Sequence, residues 1–145
     1  MEVKRVVIAG SRIYNNYDEA KNYIDFCISR IKTQYTLVFV SGGCKGADLL
    51  GERYAIDNGY IIEKYDAEWE KYGKSAGPKR NYQMSQIGDY FICFWDGTSR
   101  GTKSMIDYAK KQENLLKWKR YKVVSVKIYW QMQKFMSIFI WNVYW

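Results

Sequence analysis

Leu37-Val38-Phe39-Val40-Ser41-Gly42-Gly43-Cys44-Lys45-Gly46-Ala47-Asp48 is the stretch that decides the fold. A short apolar run of strand length enters a glycine-rich loop. Ala47, Leu50, Gly51, Tyr54 and Ala55 then recur at helical spacing up to a stop at Asn58-Gly59. Strand, tight loop and amphipathic helix in that order are half of a βαβ unit. The order repeats on both sides. Val3 to Ala9 leads into Gly10-Ser11-Arg12, and Asn16 then caps a helix with Asp18 and Glu19 in its first turn and Ala20, Ile24, Cys27, Ile28 and Ile31 on one face. Tyr90 to Trp95 leads into Asp96-Gly97-Thr98-Ser99-Arg100-Gly101-Thr102, followed by Thr102, Met105, Ile106 and Ala109 at helical spacing.

The connecting segments fit the same plan. Tyr60-Ile61-Ile62 reads as a short third strand before a long polar segment from Asp66 to Gly77. Pro78, the only proline, suits the first position of a helix that starts with Lys79, Arg80 and Asn81 and turns Met84 and Ile87 inward. From Val123 to Met132 the chain alternates, with Val124, Val126, Ile128, Trp130 and Met132 on one side, which predicts a long fifth strand. Gly51 inside its helix lowers helix propensity, so its expected use is close packing on the sheet. The expected class is α/β: a mostly parallel five-stranded sheet with helices on both faces. Residues 1–126 form the domain, and 127–145 form a basic, aromatic extension.

All three glycine-bearing loops follow strands, so all fall on the carboxyl edge of the sheet, where such folds bind ligands. Glycines let a ligand approach the backbone, and the helix behind each loop offers unpaired N–H groups to an anion. With Lys45 and Arg100 in the loops and Arg12 and Arg80 beside them, the expected ligand carries phosphate. The candidate contacts in these loops are Gly10, Ser11, Arg12, Ser41, Gly42, Gly43, Lys45, Asp96, Gly97, Ser99, Arg100, Gly101 and Thr102, joined by Arg80. Asp48 serves either as a helix-terminal charge or as a ribose contact. Asp96 serves either as a turn residue or as a ligand or catalytic carboxylate. Trp69 and Tyr72 are either base-stacking groups or packing and lid residues.

Composition excludes several chemistries. The chain of 145 residues has no histidine, which rules out a Ser-His-Asp triad, a Cys-His pair and a His-ligated metal. Cys27, Cys44 and Cys93 are far apart, without CxxC spacing, so no metal site, disulfide framework or cofactor is expected. The Met-Glu-Val-Lys-Arg start enters a strand directly, which predicts no signal peptide and a cytoplasmic location. The net charge of +8 is uneven: up to Glu113 there are 17 basic and 15 acidic residues, and the last 32 residues hold six basic, no acidic and nine aromatic ones. Nucleic-acid binding is therefore disfavoured for the core and open for the tail. The tail's aromatic residues favour a homo-oligomer contact. Its apolar run from Phe135 to Trp145 is too short for a membrane span of about 20 residues.

Neither loop is a GxxxxGK[ST] P-loop or a GxGxxG dinucleotide fingerprint. The ordered set Ala9-Gly10-Ser11-Arg12, Ser41 to Asp48, Ala76-Gly77-Pro78-Lys79-Arg80-Asn81 and Phe94 to Thr102 resembles the YspA-like branch of the SLOG superfamily. These are Rossmann-like domains related to the cytokinin-activating LOG enzymes and to the DNA-processing protein DprA. The resemblance covers about residues 3 to 126. It implies a Rossmann-like three-layer sandwich, a bacterial or phage source, a nucleotide-derived ligand and the addition of Asn81 to the candidate contacts. It also implies a choice between a sensor or sequestering module, as in anti-phage defence, and a phosphoribohydrolase. Arg80-Asn81 with Met84 echoes the LOG Arg-Lys-x-x-Met helix, and Gly101-Thr102 echoes the end of the Pro-Gly-Gly-x-Gly-Thr loop. The LOG glutamate has no counterpart among Lys103, Ser104, Met105 and Ile106. A hydrolase would have to use Asp96 or Asp48, with Arg80. Binding without cleavage is the leading expectation, with hydrolysis and single-strand binding by the tail as alternatives.

Overall fold

Alternation along the strands sorts the core into two faces. Val6 and Ile8 of β1 (Val3–Gly10) join one cluster with Leu37, Phe39, Ile92 and Phe94, while Val7 and Ala9 join the other with Val40, Phe91 and Cys93. The computed structural model describes residues 1–111 and the backbone of 123–125. Within these, β1, β2 (Thr36–Ser41), β3 (Ile61–Lys64) and β4 (Tyr90–Trp95) form an all-parallel sheet in the order β3-β2-β1-β4. A three-residue strand, β5 (Val123–Ser125), pairs parallel with the end of β4. The rest of the expected run to Met132, and the whole 127–145 extension, lie outside the described residues.

Helices cover both faces. On the first lie α1 (Tyr17–Ile28) and α2 (Ala47–Asp57), which contribute Ala20, Ile24 and Tyr54 to that cluster. On the second lie α4 (Ala76–Ile87) and α5 (Arg100–Lys111), which contribute Met84, Met105 and Ile106. The expected polar segment between β3 and α4 holds the short helix α3 (Trp69–Tyr72) and a 3-10 turn at Gly73–Ser75. No helix among the described residues is long and apolar enough to cross a membrane.

Local signals explain most boundaries. Asn16 caps α1 by accepting the Glu19 amide at 3.1 Å, and its side-chain amide returns a bond to Glu19 Oε2 at 3.2 Å. Gly59, with φ +73°, follows the end of α2, as read from Asn58-Gly59. Gly51 sits where a Cβ would lie 2.6 Å from Ile8 Cγ2, which is the close helix-to-sheet contact expected of it. Two boundaries differ. Pro78 is the third residue of α4 and not the first, a position whose N–H still lacks an intrahelical acceptor. Ile31 lies in a 3-10 turn beyond α1 but is buried in the cluster all the same.

The chain runs from β1 outward to β2 and β3, then crosses back to place β4 on the other side of β1. The reversal opens a crevice beyond the carboxyl ends of β1 and β4. Two bonds tie those ends together: the Ser11 amide donates to Phe94 O at 2.8 Å, and the Asp96 amide donates to Ser11 Oγ at 3.0 Å.

Candidate functional site

The crevice holds a cavity of about 260 Å³. Its floor is Ala9 and Gly10 of β1 with Asp48 of α2 and Met84 of α4. One wall is the start of α4, where Gly77, Pro78, Arg80 and Asn81 line the space beneath Trp69. The opposite wall is Ser99 to Thr102 at the start of α5 with Ser104, and Arg12 and Cys44 complete the lining. Gly10, Arg12, Arg80, Asn81, Ser99, Arg100, Gly101 and Thr102 of the sequence candidates thus surround one space. Ser11, Ser41, Gly42, Gly43, Lys45, Asp96 and Gly97 are not in the lining, and of the Ser41 to Asp48 stretch only Cys44 and Asp48 are.

The physical reason is that the first loop satisfies itself. The Gly43 amide donates to Ser41 Oγ at 3.0 Å, the Cys44 amide to Asp48 Oδ2 at 3.3 Å, and the Ala47 amide at the head of α2 to Ser11 O at 3.3 Å. Gly46 is the N-cap of α2 at φ +81°, pressed against the Ser11 carbonyl, so no side chain fits there. Ser41 Oγ also donates to Glu52 at 2.8 Å. Lys45 is exposed outside the cavity. Gly42 is needed because a Cβ there would lie 2.8 Å from Arg80 Nη1 and 2.9 Å from Asp48 Oδ2.

The second loop differs at its last turn. Asp96 Oδ1 accepts the Thr98 and Ser99 amides, each at 2.8 Å, and these bonds hold its carboxyl below the usual carboxylate range. Trp95 Nε1 fixes Ser99 O at 3.0 Å. This is the turn role for Asp96 and leaves it a poor proton donor. Beyond it, the Thr102 and Lys103 amides bond back to Ser99, whereas the Arg100 and Gly101 amides have no acceptor among the described residues. Those two residues, at the positive end of a 12-residue helix, line the cavity. Arg12 and Arg100 are exposed on the lining and form no ion pair among the described residues.

Arg80 is different from both. It is only 7% exposed, and four of its N–H groups are engaged. Nε donates to Asn81 Oδ1 at 2.9 Å, Nη1 to Gly42 O and to Tyr65 O, and Nη2 to Cys44 Sγ at 3.3 Å. It therefore pins the first loop and the end of β3 to α4. Asp48, 5% exposed, shares this cluster. Burial pushes its carboxyl up to about 6, against the opposing pull of the Cys44 amide and the Arg80 guanidinium.

Trp69 is half exposed and rests over Gly77, where a Cβ would lie 3.2 Å from Cη2 of the indole. Lys79 over the Tyr72 ring, 4.0 Å from its centroid, ties α3 to α4. Tyr72 is not in the lining, so only one of the two aromatic candidates reaches the cavity. Gly77, Pro78, Met84 and Ser104 were not singled out as contacts in the sequence. The motif from Ala76 to Asn81 marks this wall through Arg80 and Asn81, and the glycine under Trp69 is the signal for the rest of it.

The sequence model of the YspA, cpYpsA-related SLOG family matches residues 4–72. The "Gene 61 protein" of Mycobacterium phage D29 is 34% identical over 115 residues, which span 75% of this chain and 90% of that relative. With the parallel α/β sheet and its crevice at the β1–β4 reversal, these matches settle the family: the chain belongs to the YspA, cpYpsA-related branch of the SLOG proteins.

Proposed function

We propose that this cavity binds a single nucleotide unit, with the phosphate on the head of α5 between Arg12 and Arg100 and the base against Trp69. The observation that carries the reading is that Arg100 and Gly101, whose amides have no acceptor among the described residues, line the same space as the Arg12 and Arg100 guanidiniums, which form no ion pairs among the described residues. Such a combination attracts a doubly charged oxyanion by charge and by directed hydrogen bonds. Membership in a SLOG family supports a nucleotide-related ligand. The volume of about 260 Å³ falls just under the ~300–1,000 Å³ of drug-sized sites and favours one nucleotide over a dinucleotide.

A sensing or sequestering role fits better than hydrolysis. Asp96 is locked in its turn, so a hydrolase would rest on Asp48 alone. The oligomer and nucleic-acid readings of the tail concern residues outside the described ones.

Gly101→Val tests the site. An added Cβ meets only Asn81 Nδ2, at 3.5 Å, so the fold accommodates the change while the branched side chain blocks the helix head. In a thermal-shift screen of ribonucleoside 5′-monophosphates, wild-type protein should be stabilised by at least one, and Gly101→Val should keep its melting temperature but lose the ligand response. An undiminished response in the folded variant would place the ligand elsewhere.

A further inference from the structure

We infer that Asp48 reads the ribose of the bound nucleotide, its carboxylate accepting the vicinal hydroxyls, so that the site takes ribonucleotides in preference to 2′-deoxyribonucleotides. The inference rests on the nucleotide reading above and deepens it. Asp48 lies on the cavity floor, 5% exposed, and among the described residues its hydrogen-bond partners are the Cys44 amide at 3.3 Å and the Gly42 amide. An ionised carboxylate has about four lone-pair positions, so two backbone donors leave acceptor capacity on a group that borders the cavity.

The chemistry around it restricts what that capacity can meet. A carboxylate repels phosphate, and Arg12 and Arg100, the exposed cations of the lining, form no ion pair among the described residues and are the groups to hold a phosphate. Trp69 offers an aromatic face, which suits a base and not a hydroxyl. The part of a nucleotide that joins base to phosphate and donates hydrogen bonds is the sugar. A cis-diol presents two O–H donors spaced for one carboxylate, the pairing used by acidic residues on ribose in related α/β folds. Holding a carboxylate at this depth opposes folding, as its upward shift to about 6 records, and such groups cluster where a ligand needs them.

The test is titration calorimetry of the full chain with adenosine 5′-monophosphate, its 2′-deoxy and 3′-deoxy analogues, and the guanosine, cytidine and uridine monophosphates. Wild-type protein should bind a ribonucleotide about 10- to 100-fold more tightly than its 2′-deoxy counterpart, the range for one lost charge-assisted hydrogen bond. Asp48→Asn should shrink that ratio to within about threefold, because a neutral amide accepts less strongly, while phosphate dependence persists. Equal ribo and deoxy affinities in wild-type protein, or a ratio unchanged in Asp48→Asn, would overturn the inference and leave the nucleotide reading standing. Failure of every nucleotide to bind would overturn both.

Discussion

Arg80→Ala should lower stability by about 3 kcal/mol or more at pH 8, the usual cost of removing one partner from a buried charged cluster. The guanidinium holds Gly42 O, Tyr65 O, Cys44 Sγ and Asn81 Oδ1 together, so truncation frees two backbone carbonyls and opens a void between β2 and α4. It also strips Asp48 of the cation that favours its ionised form. At pH 5 the loss should be smaller, since Asp48 then takes up a proton and no buried charge is stranded. Arg80→Lys should recover only part of the stability, because an ammonium is a point donor and cannot span four acceptors in the plane of a guanidinium. Urea unfolding with an unchanged slope is the measurement. A change within about 0.5 kcal/mol would mean that Arg80 has a ligand-facing role and little structural one.

Asp48→Asn should do the opposite and stabilise the fold at pH 8, by up to about 3 kcal/mol. The sign follows from the raised folded value. The carboxyl titrates near 6 in the folded chain and near its ordinary 3.8 when unfolded, so the folded state holds the proton more tightly. Its favourable contribution is complete below about pH 4 and is lost as pH rises through about 6, a span of roughly two units at about 1.4 kcal/mol each. Asparagine mimics the protonated form and can still accept the Cys44 amide. The difference between variant and wild type should therefore grow from pH 4 to pH 7 and then level off. A flat difference across that range would show that burial does not perturb Asp48. In the Asp48→Asn background, Arg80→Ala should cost less than in wild type, since the two side chains share one cluster.

The layers of the fold were legible because a parallel sheet imposes a period of two: Val6 and Ile8 go to one face, Val7 and Ala9 to the other. The position of the crevice was legible too, since it follows from loops after strands. The division of labour between the loops was not. Both show glycines and a cation, and which of their amides find an acceptor depends on local turns and on contacts that the pattern of residue types does not display. Ser11 O reaches Ala47 across 36 positions, a pairing that only the fold creates. Arg80 reads as a phosphate contact beside the loops, and its burial against Gly42 depends on a contact 38 residues away. Trp69 could be assigned only once Gly77 was placed beneath it.

The most direct test of the central claim is a calorimetric comparison of each ribonucleoside 5′-monophosphate with its nucleoside on the wild-type chain, repeated at higher salt. If the phosphate sits on the head of α5 between Arg12 and Arg100, the best nucleotide should bind at least ~10-fold more tightly than its nucleoside, and the gap should narrow as salt screens the exposed guanidiniums. Equal affinity for nucleotide and nucleoside, at any salt, would contradict the account.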